Sequence, residues 1–228
     1  PRADEAWLTG FAQGLWALAD ASGIPLVGGD TTQGPLNLCI TVFGEAPPGQ
    51  ALLRSGAKVG DDIWVSGRLG DARLALEVFR GRVALAGQAF EQVRAAMERP
   101  MPRLALGQAL RGVATAALDI SDGLLGDLGH VLTASRVGAT LELAALPRSE
   151  VLAAQPPALQ QECLLAGGDD YELVFTVGAR AHPDAIARAW HRAFPRTRLT
   201  CIGRFRALGQ QRDRTLNLTD YHGYEHLR

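Results

Sequence analysis

Asp119, Ser121 and Asp122 sit between an apolar run and a helix-like periodicity. Ala117, Leu118 and Ile120 read as the end of a buried strand, Gly123 breaks the pattern, and Leu124 opens the next one. A strand-to-helix junction presents backbone N–H groups and the positive end of a helix dipole, which favours anions. Two carboxylates there repel each other and any phosphate. Mg²⁺ removes that conflict, because it takes carboxylate and phosphate oxygens together. A plainer assignment makes Ser121 or Asp122 the helix N-cap. The residues of this one motif leave both assignments open.

Two more clusters follow the same order of apolar run, glycine and carboxylate: Gly28-Gly29-Asp30 and Gly167-Gly168-Asp169-Asp170. Glycine permits close backbone approach and positive φ. Carboxylates at strand ends are the usual material of Mg²⁺–phosphate sites. The clusters together point to one shared site at strand ends. Arg54, just ahead of Gly56, is the cation candidate, since its planar fork suits a phosphate; the alternative is a solvated linker arginine. There is no Gly-x-x-x-x-Gly-Lys-[Ser/Thr] and no Gly-x-Gly-x-x-Gly after a strand, which excludes a P-loop and a dinucleotide fingerprint. The acids at 119 and 122 are only superficially similar to the Asp-x-Asp-Gly of haloacid-dehalogenase-type phosphatases, whose spacing is one residue shorter. The five histidines form no recognisable metal pair.

Helical periodicity marks Asp4–Ala21, Asp71–Phe79, Phe90–Met97, Leu104–Val113, Leu124–Ala134, Ala181–Phe194 and, broken at Pro156-Pro157, Leu152–Leu165. Strands are predicted at Ile24–Val27, Leu36–Gly44, Ile63–Ser66, Thr115–Asp119, Ala139–Leu143, Tyr171–Val177, Leu199–Phe205 and weakly at Arg214–Leu218. Their alternation argues an α/β (α+β) fold with mixed sheets flanked by helices. Pro47-Pro48-Gly49 marks a boundary between a domain at 1–46 and another at 50–228. The net charge of −1, with 47% hydrophobic and 21% charged residues, offers no electrostatic case for nucleic acid or an anionic membrane. Cys39, Cys163 and Cys201 lie far apart in apolar runs, as buried reduced thiols of a cytoplasmic protein do.

On these landmarks the chain resembles the thiamine-monophosphate kinase family. The matching stretches are Gly28-Gly29-Asp30-Thr31-Thr32-Gln33-Gly34-Pro35, Arg54 to Asp61, Asp119 to Leu124, Gly167 to Leu173, and the tail Gly223-Tyr224-Glu225-His226. The resemblance implies transfer of the ATP γ-phosphoryl group to thiamine monophosphate, several Mg²⁺ ions, and a homodimer. It also implies the two-domain fold shared with aminoimidazole-ribonucleotide synthetase, selenophosphate synthetase and a hydrogenase-maturation protein. Residue by residue, it implies ATP contacts for Gly29, Asp30, Arg54 and Ser121, and Mg²⁺ ligation by Asp30, Asp119 and Asp122. Asp169 and Tyr224 match positions that contact the substrate. Two positions depart from the family pattern: Asp169 stands where Glu is usual, and Tyr221 where Trp is usual.

A phosphate-monoester acceptor has a second pKa of ~6 and needs no general base at neutral pH. Direct in-line transfer is therefore expected, with no catalytic acid–base residue and with the metal-ligand carboxylates neutralising charge. The family carries further sequence ahead of the position of Pro1, with more acidic motifs and much of the dimer-forming sheet. Residues 1–46 are accordingly expected to be the remnant of an ATP/Mg²⁺-binding and dimerisation domain, and the 228 residues alone to be inactive. The competing readings are a sister ATP-dependent synthetase of the same fold and a non-catalytic nucleotide-binding fragment.

Overall fold

A computed structural model describes residues 3–178, 190, 194 and 197–208. The chain divides into two compact units, Pro1–Pro47 and Pro48–Arg228.

In the first unit the described residues form one helix, α1 (Glu5–Ser22). The Trp7 amide donates to Asp4 Oδ1 at 2.9 Å, which caps its start. Gly23 ends it at φ 64°, returning its N–H to the carbonyls of Ala19 and Asp20. No described residue before Pro48 is buried, and Val27 and Phe43 are 86% and 84% exposed. The runs at Ile24–Val27 and Leu36–Gly44, expected as strands, join no sheet among the described residues. Alternating β-formers make a strand only where a neighbour completes the ladder, and the described part of this unit supplies none. Cys39 is exposed rather than buried, whereas Cys163 is buried and Cys201 half-buried.

The second unit is built on β1 (Asp62–Ser66), β2 (Ala114–Asp119), β3 (Gly138–Leu141), β4 (Leu173–Val177) and β5 (Leu199–Arg206). They form one sheet in the order β2-β4-β1-β5-β3, and every described pair is antiparallel. The α/β class stands, but this sheet is antiparallel rather than mixed. The cause lies in the strand order. β1, β2 and β3, joined through helices, do run the same way, as alternation predicts. However, β4 and β5 enter between them in the opposite direction, so strands consecutive in sequence never touch.

The helices are α2 (Asp71–Phe79), α3 (Gly87–Glu98), α4 (Leu104–Ala109), α5 (Leu124–Ser135), α6 (Glu150–Ala153) and α7 (Pro157–Ala166). All five residues of β1 are buried, because both sheet faces are covered. Side chains alternate across a strand. Ile63 and Val65 accordingly join Leu74, Leu124, Leu128 and Leu165 on one face, while Trp64 joins Leu106, Leu110 and Phe175 on the other. Trp190 closes the second face, its ring centroid 5.2 Å from that of Phe175. The helix expected over Leu104–Val113 stops at Ala109, and the chain turns through Gly112 at φ 73° into β2. Most of the predicted helix Ala181–Phe194 and all of the predicted strand Arg214–Leu218 lie outside the described residues. No described helix is long and apolar enough to cross a membrane.

Candidate functional site

Antiparallel register decides what meets at the rim of the sheet. Asp119 pairs with Leu173, Val65 with Val174, and Ser66 with Leu199. The C-terminal ends of β1 and β2 therefore share one rim with the N-terminal end of β4. The loops around Gly67–Gly70, Ile120–Gly123 and Gly167–Glu172 all lie there. The last two are stitched together through the backbone. The Asp169 N–H donates to the Ser121 carbonyl at 2.9 Å, the Tyr171 N–H to that of Ile120 at 2.8 Å, and the Ile120 N–H to that of Glu172 at 2.8 Å. Gly168 permits this approach, since a Cβ there would stand 2.5 Å from the Ser121 carbonyl oxygen.

The α5 N-cap is Gly123, which makes no side-chain cap bond. Neither Ser121 nor Asp122 caps the helix, so the plainer assignment of that motif fails. The junction amides are instead held by a residue that the sequence motifs did not single out. Asp127 Oδ2 accepts the N–H groups of Ser121 at 2.9 Å and Asp122 at 3.0 Å. Two backbone amides of the junction are thus occupied by the protein's own carboxylate. Asp127 is buried. Burial is the main cause that pushes its carboxyl above the ordinary range; repulsion from Asp122 and Asp119 adds to it, and the two amides oppose it. Its signal was legible, because an acid stood on the helix face of Leu124, Leu128 and Val131.

Glu172 anchors the second loop. Its carboxylate accepts from Ser66 Oγ at 2.5 Å and from Arg103 Nε and Nη2 at 2.7 and 2.5 Å. Ser66 Oγ in turn accepts the Leu173 amide at 2.9 Å. The strand predicted from Tyr171 begins at Leu173, because Asp169 and Tyr171 take left-handed backbone conformations, φ 66° and 50°. Such conformations cost non-glycine residues about 1–3 kcal/mol and persist where surrounding bonds over-determine them. Asp169 is thereby held exposed, and Tyr171 Oη donates to its Oδ1 at 3.3 Å. Burial and the neighbouring Asp169 carboxylate raise the Tyr171 phenol, keeping it a donor.

Asp170 turns inward. Both its oxygens accept the Gly70 amide, at 2.9 and 3.1 Å, at the start of α2. Burial, reinforced by Asp71, Glu172 and Asp169, pushes its carboxyl well above the ordinary 3.8. A folded-state pKa above the unfolded value means that the fold binds this proton more tightly. That contribution is complete below about pH 4 and is lost as pH rises through the raised pKa. Asp170→Asn keeps an oxygen for the Gly70 amide and removes the charge. It is expected to raise the melting temperature at pH 7 and to give no such gain at pH 4. A thermal melt at both values checks this, and a lower melting temperature at pH 7 contradicts it.

The remaining candidates lie elsewhere. The Gly56–Lys58 turn, just beyond Arg54, stands at the opposite rim, where Thr115 Oγ1 and the Lys58 amide both donate to Asp61 Oδ2. The exposed Arg54 is tied by its backbone: its carbonyl accepts Ser135 Oγ at 3.2 Å, at the C-terminal end of α5. That anchor is one helix length, about 17 Å at 1.5 Å per residue, from the acidic junction. Gly29 and Asp30 are exposed residues of the first unit. Tyr224 and Tyr221 lie outside the described residues.

Among the described residues no group of three His, Cys, Asp or Glu side chains stands ready to hold a metal. Mg²⁺, however, is commonly held by one or two carboxylates, with phosphate oxygens and water completing its shell. The exposed Asp119 and half-buried Asp122 provide two such carboxylates around one loop. That donor set suits a metal shared with a phosphate ligand, not an all-protein cage.

The chain matches the family models "AIR synthase related protein, N-terminal domain" over residues 1–46 and "AIR synthase related protein, C-terminal domain" over residues 58–191. It is 41% identical to thiamine-monophosphate kinase of Escherichia coli K12, covering 100% of this chain and 71% of that protein. Among solved structures it is similar to thiamine-monophosphate kinase from Stenotrophomonas maltophilia K279a, at 41% identity and TM-score 0.81, covering 91% of this chain and 66% of that one. It is also similar to AaThiL complexed with AMPPCP and TMP, at 29% identity and TM-score 0.56, covering 68% and 48%. With that identity sustained along its whole length, the chain belongs to the thiamine-monophosphate kinase family.

Proposed function

We propose that this chain carries the phosphoryl-transfer machinery of an enzyme that phosphorylates thiamine monophosphate with ATP, giving thiamine diphosphate. The observation that carries the reading is the stitched pair of loops at one rim, which gathers Asp119, Asp122 and Asp169 beside the N-terminus of α5. The solved relative complexed with an ATP analogue and TMP supports the same substrate pair.

Asp119 and Asp122 are proposed Mg²⁺ ligands, and Asp30 is separately proposed as a Mg²⁺ ligand of the first unit. Bound there, Mg²⁺ would neutralise phosphate charge as two polyanions approach. Gly29, Asp30, Arg54 and Ser121 are the proposed ATP contacts, and Asp169 and Tyr224 the substrate contacts. The chain's own task is positioning. Ser121 is held by its amide on Asp127 and its carbonyl on Asp169, so its hydroxyl is presented from a backbone fixed at both ends. The acceptor is a phosphate monoester, largely dianionic near neutrality, and attacks without a protein base. Direct in-line transfer without a phospho-enzyme follows. A homodimer in the cytoplasm, needing several Mg²⁺ ions, belongs to the same reading.

The test is formation of thiamine diphosphate from ATP and thiamine monophosphate by the product of the complete reading frame, with and without Mg²⁺. Metal-independent turnover, or turnover only with a different acceptor, overturns the reading. Arg54→Lys sharpens it. Lysine keeps the charge but cannot make a bidentate phosphate contact. The KM for ATP is expected to rise about tenfold, the size of one lost charge-assisted hydrogen bond. Unchanged KM and kcat would leave Arg54 with only its backbone bond to Ser135.

A further inference from the structure

We infer that Asp127 is a positioning residue for the acidic junction: it occupies the place an anion would take and holds Asp122 in orientation for a metal-bound phosphate. The inference rests on the proposed function for the metal's role, but its geometry stands by itself. Asp127 lies in the first turn of α5, faces the core beside Leu124 and Leu128, and is 3% exposed. A buried acid on an apolar helix face is costly unless its oxygens are hydrogen-bonded. Here one oxygen collects two amides, those of Ser121 and Asp122.

Two consequences follow. The two amides just ahead of the α5 N-cap, which would otherwise be open to an anion, are filled from within by Asp127. Inorganic phosphate therefore finds no seat on them, and nucleotide phosphates are left to the proposed metal at Asp119 and Asp122. Fixing two consecutive amides also fixes the peptide planes from which the Ser121 and Asp122 side chains depart. The loop has little other latitude: the Ser121 carbonyl receives the Asp169 amide, and a Cβ on Gly123 would stand 2.9 Å from the Ala166 carbonyl carbon. Groups that orient metal ligands typically contribute about 10- to 100-fold in metal affinity or activity.

Three substitutions separate geometry from charge. Asp127→Asn keeps an oxygen for both amides and loses the charge. Asp127→Glu keeps the charge and displaces the oxygen by one methylene. Asp127→Ala loses both and frees the amides. Each variant of the complete protein is titrated with Mg²⁺ in the presence of AMPPCP by calorimetry, and melted with and without inorganic phosphate. Mg²⁺ affinity is expected to fall about 10- to 100-fold in Asp127→Ala and Asp127→Glu, with Asp127→Asn recovering most of the loss. Phosphate is expected to raise the melting temperature of Asp127→Ala but not that of the parent or of Asp127→Asn. The inference is overturned if Asp127→Glu keeps the parent's Mg²⁺ affinity while Asp127→Asn loses it, or if phosphate leaves Asp127→Ala unaffected. Should Asp127→Ala not fold, the Asn–Glu contrast decides alone. Failure of the parent to make thiamine diphosphate would count against the proposed function, whereas the phosphate-dependent melt reports on the amides whatever the substrate.

Discussion

Asp119→Asn and Asp122→Asn are each expected to lower thiamine diphosphate formation by about 100-fold or more, with little change in melting temperature. The asymmetry comes from where the two acids stand. Asp119 ends β2 with its side chain exposed, and Asp122 is half-buried on the loop that follows. Neither supports α5 as its cap, because Gly123 holds that position and Asp127 takes the junction amides. Asparagine preserves shape and hydrogen-bonding capacity at both positions, so the fold loses little. What disappears is one negative charge at the proposed metal site. Stabilisation of transferring phosphate by a bound metal is worth several kcal/mol, and 1.36 kcal/mol is a factor of ten in rate. Steady-state kinetics across a Mg²⁺ titration, paired with a thermal melt of each variant, provides the check. Near-normal turnover of both variants at saturating Mg²⁺ would remove these acids from the metal site.

Glu172→Ala is expected to act oppositely, on the fold first. Its carboxylate, nearly enclosed, is the common acceptor of Ser66 Oγ and of two Arg103 nitrogens. Removing it strands a guanidinium and a fully buried hydroxyl together. Breaking a buried pair from one side costs about 3–5 kcal/mol. For a chain of this size that is a fall of roughly 10 °C in melting temperature. Arg103→Ala should cost at least as much, since it leaves the more enclosed partner, the Glu172 carboxylate at 9% exposure against 22% for Arg103, without its counter-ion. The double variant should be milder than the sum of the two, as expected of residues sharing one network. Denaturant melts of all three variants test this, and strict additivity would mean that the pair is not coupled. The same network ties the Gly167–Glu172 loop to β1, so kinase activity should fall with stability in Glu172→Ala. In Asp119→Asn the two should part company.

Much was determined by the sequence alone, and for local reasons. Asp71–Phe79 as a helix, the strand near Ile63–Ser66 and the strand-to-helix break at Gly123 follow from periodicities and backbone preferences that need no distant partner. The motif order from Gly28 to Asp170 carried the family, because Gly-Asp clusters at those positions are a property of the chain itself. Helix-connected strands running the same way were also legible in the alternation. The insertion of β4 and β5 between them was not, since strand order depends on which edges become covered during packing. For the same reason Ile24–Val27 and Leu36–Gly44 read as strands without forming any among the described residues: alternation prepares a strand, and only a neighbour completes it. Tertiary structure alone decided the details of the site. Register brought Asp169 against Ser121 and anchored the Arg54 backbone at the far end of α5. It also gave the Arg103 fork to Glu172. Hydrogen bonds between residues far apart in the chain form only once the core has fixed their distance, and no local pattern encodes that distance.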